Sequence, residues 1–90
     1  MKPKKFSLNK VSNQLKKPWA PITIAKVDDY TLNIAKFENG YHWHKHDKDE
    51  LFIVLKVNEN EGIVIPKNVE HCPVAIKSSI VLMFEDSKLK

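Results

Sequence analysis

Turn chemistry cuts this chain into pieces too short for amphipathic helices. Pro18 and Pro21, Asp28-Asp29, Asn39-Gly40, Asp47-Lys48-Asp49, Asn58 to Gly62, Pro66-Lys67-Asn68 and Ser78-Ser79 follow one another at strand-length intervals. The segments between them are rich in Ile, Val, Phe and Tyr. Ile22 to Val27 and Tyr30 to Phe37 read as a hairpin across Asp28-Asp29, with Leu32 and Ile34 on one face of the second strand and Thr31, Asn33 and Ala35 on the other. After an Asn-Gly turn, Tyr41 to His46 reads as a third strand. It carries Tyr41, Trp43 and Lys45 on one face, where the aromatics pack the core or a dimer contact, and the histidines on the other. Leu51 to Val57 is a continuous apolar run, the strand expected to be most buried. Ile63 to Ile65 stops at Pro66. Cys72 to Lys77 and Ile80 to Glu85 follow, separated by Ser78-Ser79. About seven short strands with almost no helix predict an all-β sandwich or barrel. One helical turn, capped by Ser12, is expected over Ser12 to Lys16. Phe52, Val54, Val81, Met83 and Phe84 are core candidates. Trp19 is expected to pack against the core or to cover an open end.

With 90 residues there is room for one domain. It is placed at 18–86, between a basic extension at 1–17 and a tail at 87–90 that is expected to fray. A chain this short buries only about 60–65% of its unfolded surface, so a metal or a dimer interface would add to its margin. The net charge of +4 is unevenly spread. Residues 1–17 hold six lysines and no acid, which leaves nine basic residues against all eleven acids in the body, a net of −2. A basic tail on an acidic body, with no arginine to read phosphates, argues against nucleic-acid binding. No apolar run is long enough for a signal peptide or a membrane span, so no membrane is expected and the cytoplasm is the expected compartment. Cys72 is the single cysteine, which leaves no internal disulfide. It is read as a small buried residue.

Chemistry concentrates between Gly40 and Leu51, where His42, His44 and His46 alternate and Glu50 follows. Residues i and i+2 of a strand point the same way, so His44 and His46 present two imidazoles to one side. Imidazole suits Zn, Fe, Ni, Cu and, less strongly, Mn. Glu50 can return a carboxylate across the Asp47-Lys48-Asp49 turn, completing a facial three-ligand set, and His71 can add a fourth donor from a distant strand. Asp49 could stand in for Glu50. The alternative is that a histidine-rich polar strand is simply solvated. His42 is read as a rim residue.

These residues also carry a resemblance. Gly40, His44-Lys45-His46 and Glu50 resemble the first motif of the cupin superfamily, and Pro66-Lys67-Asn68-Val69-Glu70-His71 resembles its second, Pro-x-Gly-x-x-His. Asp49 to Lys56 (DELFIVLK) and Ile65 to Ala75 (IPKNVEHCPVA) are similar to small single-domain cupins. The resemblance implies a small jelly-roll β-barrel and a homodimer. It also implies that His44, His46, Glu50 and His71 hold a divalent transition metal: Fe, Mn, Zn or Ni. The departures matter. Val57 stands where the family has a second glycine. Asn68 replaces the glycine of Pro-x-Gly, although asparagine tolerates a left-handed backbone. Gly62 stands closer to Pro66 than the family's glycine does. Only Leu51 to Ile65 separates Glu50 from Pro66, so the fold is shortened by about one hairpin and left as an open sandwich. Two explanations stand: a minimal cupin whose open edge a partner covers, or a sequence from which a segment is missing.

The functions compatible with such a site are a metal-dependent small-molecule enzyme of dioxygenase or isomerase type, a non-catalytic module binding a small ligand or metal, and a degenerate structural cupin. Beyond the four ligands no convincing general acid or base stands out in the sequence, His42 being the best candidate.

Overall fold

A computed structural model describes residues 2–56 and 61–89. The chain forms a short helix, α1 (Leu8–Ser12), and five strands: β1 (Ile22–Val27), β2 (Tyr30–Gly40), β3 (Glu50–Lys56), β4 (Gly62–Ile65) and β5 (Val74–Asp86). The strands make one antiparallel sheet in the order β1-β2-β5-β3-β4. The fold is all-β as expected. The sheet does not close on itself, since β1 and β4 stand at opposite ends of the order.

The β1–β2 hairpin turns at Asp28, whose φ of 51° places it in the left-handed region that aspartate tolerates. Three expectations change downstream. Asn39-Gly40 is not a turn. Asn39 has φ 60°, but the residue sits in a bulge where the register of β2 against β5 shifts, and β2 runs on to Gly40. Ser78-Ser79 does not divide two strands either. Ser79 pairs with Phe37 inside the continuous β5, and its hydroxyl donates to the Lys77 carbonyl (3.0 Å). Tyr41 to His46 forms no regular strand and makes a single bridge, His44 to His71. At the N-terminus, Ser7 caps α1 by accepting from the Lys10 N–H, and Ser12 is the last helical residue instead of the cap.

Across residues 57–60, which lie outside the described residues, β3 and β4 are direct antiparallel neighbours, from Glu50↔Ile65 to Ile53↔Gly62. The strand carrying the acid therefore lies beside the strand leading into the second motif, with no strand pair between them. Val57, the position of the family's second glycine, falls outside the described residues. Asn68 has φ 64°, the left-handed conformation expected of it.

The core lies on one face of the sheet. Ala35 and Phe37 of β2, Phe52 of β3, Ile65 of β4, and Val81 and Met83 of β5 form it, with Trp19, Val54 and Ala75 packed against its edge. Phe37 and Phe52 meet edge to face at 5.6 Å. Phe84 has the opposite parity from Met83. It is exposed, not buried, and stacks on Tyr30 at 5.4 Å. β3 is buried or half-buried from Glu50 to Leu55, and β2 is buried at its centre. Asn33, Ile34 and Ala35 are consecutive and all buried, because β2 lies between two strands and α1 packs on it.

Candidate metal centre

Beyond Gly40 the chain stays beside the segment that enters β5. The Tyr41 N–H donates to the Pro73 carbonyl (2.9 Å), and the Asn68 N–H donates to the His46 carbonyl (2.7 Å). Between them His44 and His71 exchange both backbone hydrogen bonds, at 2.9 and 2.8 Å. Directly opposed residues of an antiparallel pair project to the same side. The two imidazoles accordingly meet with ring centres 4.2 Å apart. His46 joins them at 4.8 Å from His44 and 5.5 Å from His71. One ring nitrogen from each of the three lies within 4.8 Å of the others.

Glu50 reaches the cluster from the start of β3. Asp49 sets the entry angle, because its Oδ1 accepts from the Lys67 N–H (2.8 Å) and ties the turn before β3 to the turn after β4. Asp49 is thereby engaged in the turn. The Glu50 carboxylate is 5% exposed, with Oε1 3.5 Å from His46 Nε2 and 3.7 Å from His71 Nε2.

The tautomers follow from the backbone. His44 Nδ1 lies 2.9 Å from the His42 carbonyl, and His71 Nδ1 lies 3.0 Å from the Val69 carbonyl. A carbonyl only accepts, so each Nδ1 carries the hydrogen and each Nε2 presents a lone pair. Such backbone anchoring is how metal-binding histidines are oriented. Burial, followed by the neighbouring His71, His46 and His42, lowers the His44 pKa, which favours the neutral ring a metal requires. The His42 carbonyl partly opposes that shift.

Glu50 Oε1 and His71 Nε2 are buried with no hydrogen-bond partner. Leaving one such atom unsatisfied costs about 1–3 kcal/mol. Two donors bound to one ion at about 2.1 Å each stand roughly 3–4 Å apart, so the carboxylate-to-imidazole spacings fit a shared cation. The donor set of three imidazoles and one carboxylate suits a transition metal.

The surrounding residues depart from the sequence reading in three places. Tyr41 does not point away from the histidines; its ring lies 3.9 Å from His42 and meets His44 edge-on at 5.4 Å. Trp43 does not pack in the core and is 72% exposed, so of its two expected roles only the dimer contact stands. Glu85, absent from the candidate residues, stands directly opposite Glu50 in the β3–β5 register. His42 is exposed at the rim. Cys72 is half-buried and lies outside the histidine cluster, with Sγ 3.6 Å from the Tyr41 carbonyl that accepts from it.

Glu85 belongs to a chain of inward-facing polar groups. Thr23 Oγ1 donates to Asn33 Oδ1 and Asn33 Nδ2 donates to Glu85 Oε1, both at 2.7 Å. Burial, then the hydrogen bond and charge of Glu50, push the Glu85 pKa up to about 7, against the opposing pull of Asn33 and His46. The signal was in the alternation of IVLMFE: Val81 and Met83 face the core, and two residues on, Glu85 must face the same way. A cavity of about 400 Å³ opens beside this cluster. His44, His46, Glu50 and Glu85 form its polar end, and Trp19, Phe37, Tyr41, Phe52, Met83 and Leu89 its apolar walls. Leu89 comes from the C-terminal tail, which Ser87 ties to the Asp29 carbonyl (2.8 Å).

No family model matches the chain. Among curated proteins it is 33% identical to the uncharacterized protein YdbB of Bacillus subtilis, over 76 aligned positions that take in 68% of this chain and 67% of that one. The fold is similar to that of a cupin-2 domain containing protein from Shewanella frigidimarina, with a TM-score of 0.87 and 30% identity over 90% of this chain and 93% of the other. It is also similar to a protein from Neisseria meningitidis, with a TM-score of 0.83, 21% identity and coverage of 93% and 100%. A cupin superfamily protein from Desulfitobacterium hafniense shares the fold at a TM-score of 0.72 and 12% identity, with 93% of each chain covered.

Proposed function

The chain belongs to the cupin-2 domain family, and from that membership we propose that it is a metal-dependent small-molecule protein in which His44, His46, Glu50 and His71 hold one divalent transition metal. The observation that carries the reading is the pair of buried, unpartnered donor atoms, Glu50 Oε1 and His71 Nε2, 3.7 Å apart within a three-imidazole cluster. A cation between them would satisfy both. The Nδ1 anchors of His44 and His71 support the same reading, since they direct both Nε2 lone pairs inward.

Bound there as Fe, Mn, Zn or Ni, the metal would act as a Lewis acid towards a substrate oxygen or as the partner of molecular oxygen. The protein's own contribution is positional. The apolar walls exclude water from one side of a small molecule, and the histidine end receives its polar group. Glu85 lines the same cavity without being needed as a ligand, and so offers the carboxyl group that can hold or release a proton. That residue favours an enzyme of dioxygenase or isomerase type over a non-catalytic module, and the cavity itself favours both over a purely structural cupin. The reading includes a homodimer in the cytoplasm whose interface covers the apolar side chains exposed along β4, Ile63 and Val64. No helix among the described residues is long and apolar enough to cross a membrane.

The test is elemental analysis of purified wild type, His44→Ala and His71→Ala. Near-stoichiometric metal in the wild type, lost from both variants, is the expected result. Equal and low metal in all three, with equal melting temperatures, sinks the metal reading. Sedimentation analysis tests the dimer, and a strict monomer at high concentration rejects it.

A further inference from the structure

A row of polar side chains crosses the core-facing side of the sheet and ends at the histidine cluster. It follows the strand order: Thr23 of β1, Asn33 of β2, Glu85 of β5 and Glu50 of β3. Register places each beside the next. Thr23 is directly opposite Asn33 and Glu85 is directly opposite Glu50. Asn33 and Glu85 are diagonal neighbours, since Asn33 pairs with Met83 and Thr31 with Glu85. The hydrogen bonds run the same way. Thr23 Oγ1 to Asn33 Oδ1 and Asn33 Nδ2 to Glu85 Oε1 are both 2.7 Å, and the Glu85 carboxyl is hydrogen-bonded in turn to that of Glu50. By occupying the Asn33 oxygen, Thr23 leaves the amide nitrogen, a donor, to face Glu85.

Asn33 and Glu50 are 9% and 5% exposed. Amide and carboxyl groups cost free energy in a core unless each finds a partner, and apolar side chains would fill the same space without that demand. The row ends on Glu50 Oε1, which faces His46 and His71 and has no hydrogen-bond partner. Resting on the metal reading above, we propose that Thr23 and Asn33 are positioning residues of the metal centre. They fix the Glu85 carboxyl, which fixes one side of the Glu50 carboxylate, so that Oε1 is aimed at the ion before it arrives. Neither residue touches the ion. Holding a ligand in place in this way raises metal affinity without adding a donor, and outer partners of this kind are worth about 10–100-fold in affinity.

The experiment is zinc titration against a competing chelator for wild type, Thr23→Val, Thr23→Ser, Glu85→Ala and the Thr23→Val/Glu85→Ala double variant. The metal-free melting temperature of each is recorded in excess chelator. Thr23 is exposed on an edge strand, and valine keeps its shape and β-branching, so Thr23→Val should melt close to wild type without metal. The expected result is zinc binding about fivefold weaker in Thr23→Val, close to wild type in Thr23→Ser, and weaker by about tenfold or more in Glu85→Ala. In the Glu85→Ala background Thr23→Val has no further effect, because it acts through the carboxyl that is gone. Asn33→Ala serves as that background if Glu85→Ala does not fold. Unchanged zinc affinity in Thr23→Val, whatever its melting temperature, overturns the inference and leaves the metal site standing. So does a loss that persists in full without Glu85, or a serine variant that binds zinc no better than the valine one. Wild-type protein that binds no zinc overturns the metal reading, and the inference falls with it.

Discussion

Glu85→Gln, studied in protein stripped of metal, isolates the carboxyl pair that faces the histidine cluster. Burial and the adjoining Glu50 raise the Glu85 pKa from 4.5 to about 7 in the folded chain. A folded-state value above the unfolded one means that the native state binds the extra proton. The resulting stability is fully present below about pH 4.5 and is lost as pH rises through about 7. The full shift corresponds to at most about 3 kcal/mol. Glu85 is only partly buried, and screening by water on its exposed side brings this to ~1–2 kcal/mol. The glutamine side chain still accepts from Asn33 Nδ2 and can donate to Glu50, so the variant keeps the geometry and loses the titration. Urea unfolding in chelator at pH 5 and pH 8 is the assay. Glu85→Gln should be more stable than wild type at pH 8 by that amount, roughly 5–10 °C in Tm for a chain of this length, and about equal at pH 5. His44 titrates in both proteins and cancels in the comparison. Saturating divalent metal should shrink the difference at pH 8, because its charge offsets the two carboxylates. A variant that is less stable than wild type at pH 8, or a gap that does not change with pH, refutes the reasoning.

Other outcomes follow from the same geometry. Phe52→Ala removes a buried ring that meets Phe37 in the core, a loss of about 3–5 kcal/mol and a large share of so small a domain's stability; circular-dichroism melting should show it largely unfolded at 37 °C. Asn68→Val forces a β-branched side chain into φ 64° and should lower stability by about 1–2 kcal/mol, while Asn68→Gly is neutral or mildly stabilising, as chemical denaturation would report. Zinc at about 100 times its dissociation constant should stabilise the wild type by about 2.7 kcal/mol in a thermal-shift assay, and His71→Ala should show almost none of that gain.

Local signals were read well where they depend on a residue and its immediate neighbours. β1 runs from Ile22 to Val27 and turns at Asp28-Asp29, as alternation and turn chemistry indicate. His44, His46 and His71 cluster, with Glu50 beside His46 and His71, although Tyr41 to His46 is no regular strand: the His44–His71 bridge and the start of β3 bring them together. Asn39-Gly40 marks the limit of such reading. Asparagine reports a preference for left-handed φ, and a turn and a bulge satisfy that preference equally. Only the partner strand decides between them, and β5 continues alongside, so β2 continues too. Ser78-Ser79 fails as a break for the same reason: Phe37 is there to pair with Ser79.

What the sequence by itself determined is the all-β class, the first hairpin and the chemistry of the donor atoms. These follow from backbone preference and side-chain type, which act over a few residues. What only the tertiary structure decided is which groups from distant strands share one low-dielectric space. Glu85 matters because register sets it opposite Glu50. Trp19 matters because Lys36 and Glu38 fix its ring beside Tyr41. Leu89 borders the cavity because Ser87 bonds back to Asp29. Those placements depend on register, hydrogen bonds and packing between residues remote in the chain; the alternation of IVLMFE gives the face of Glu85 but not its partner.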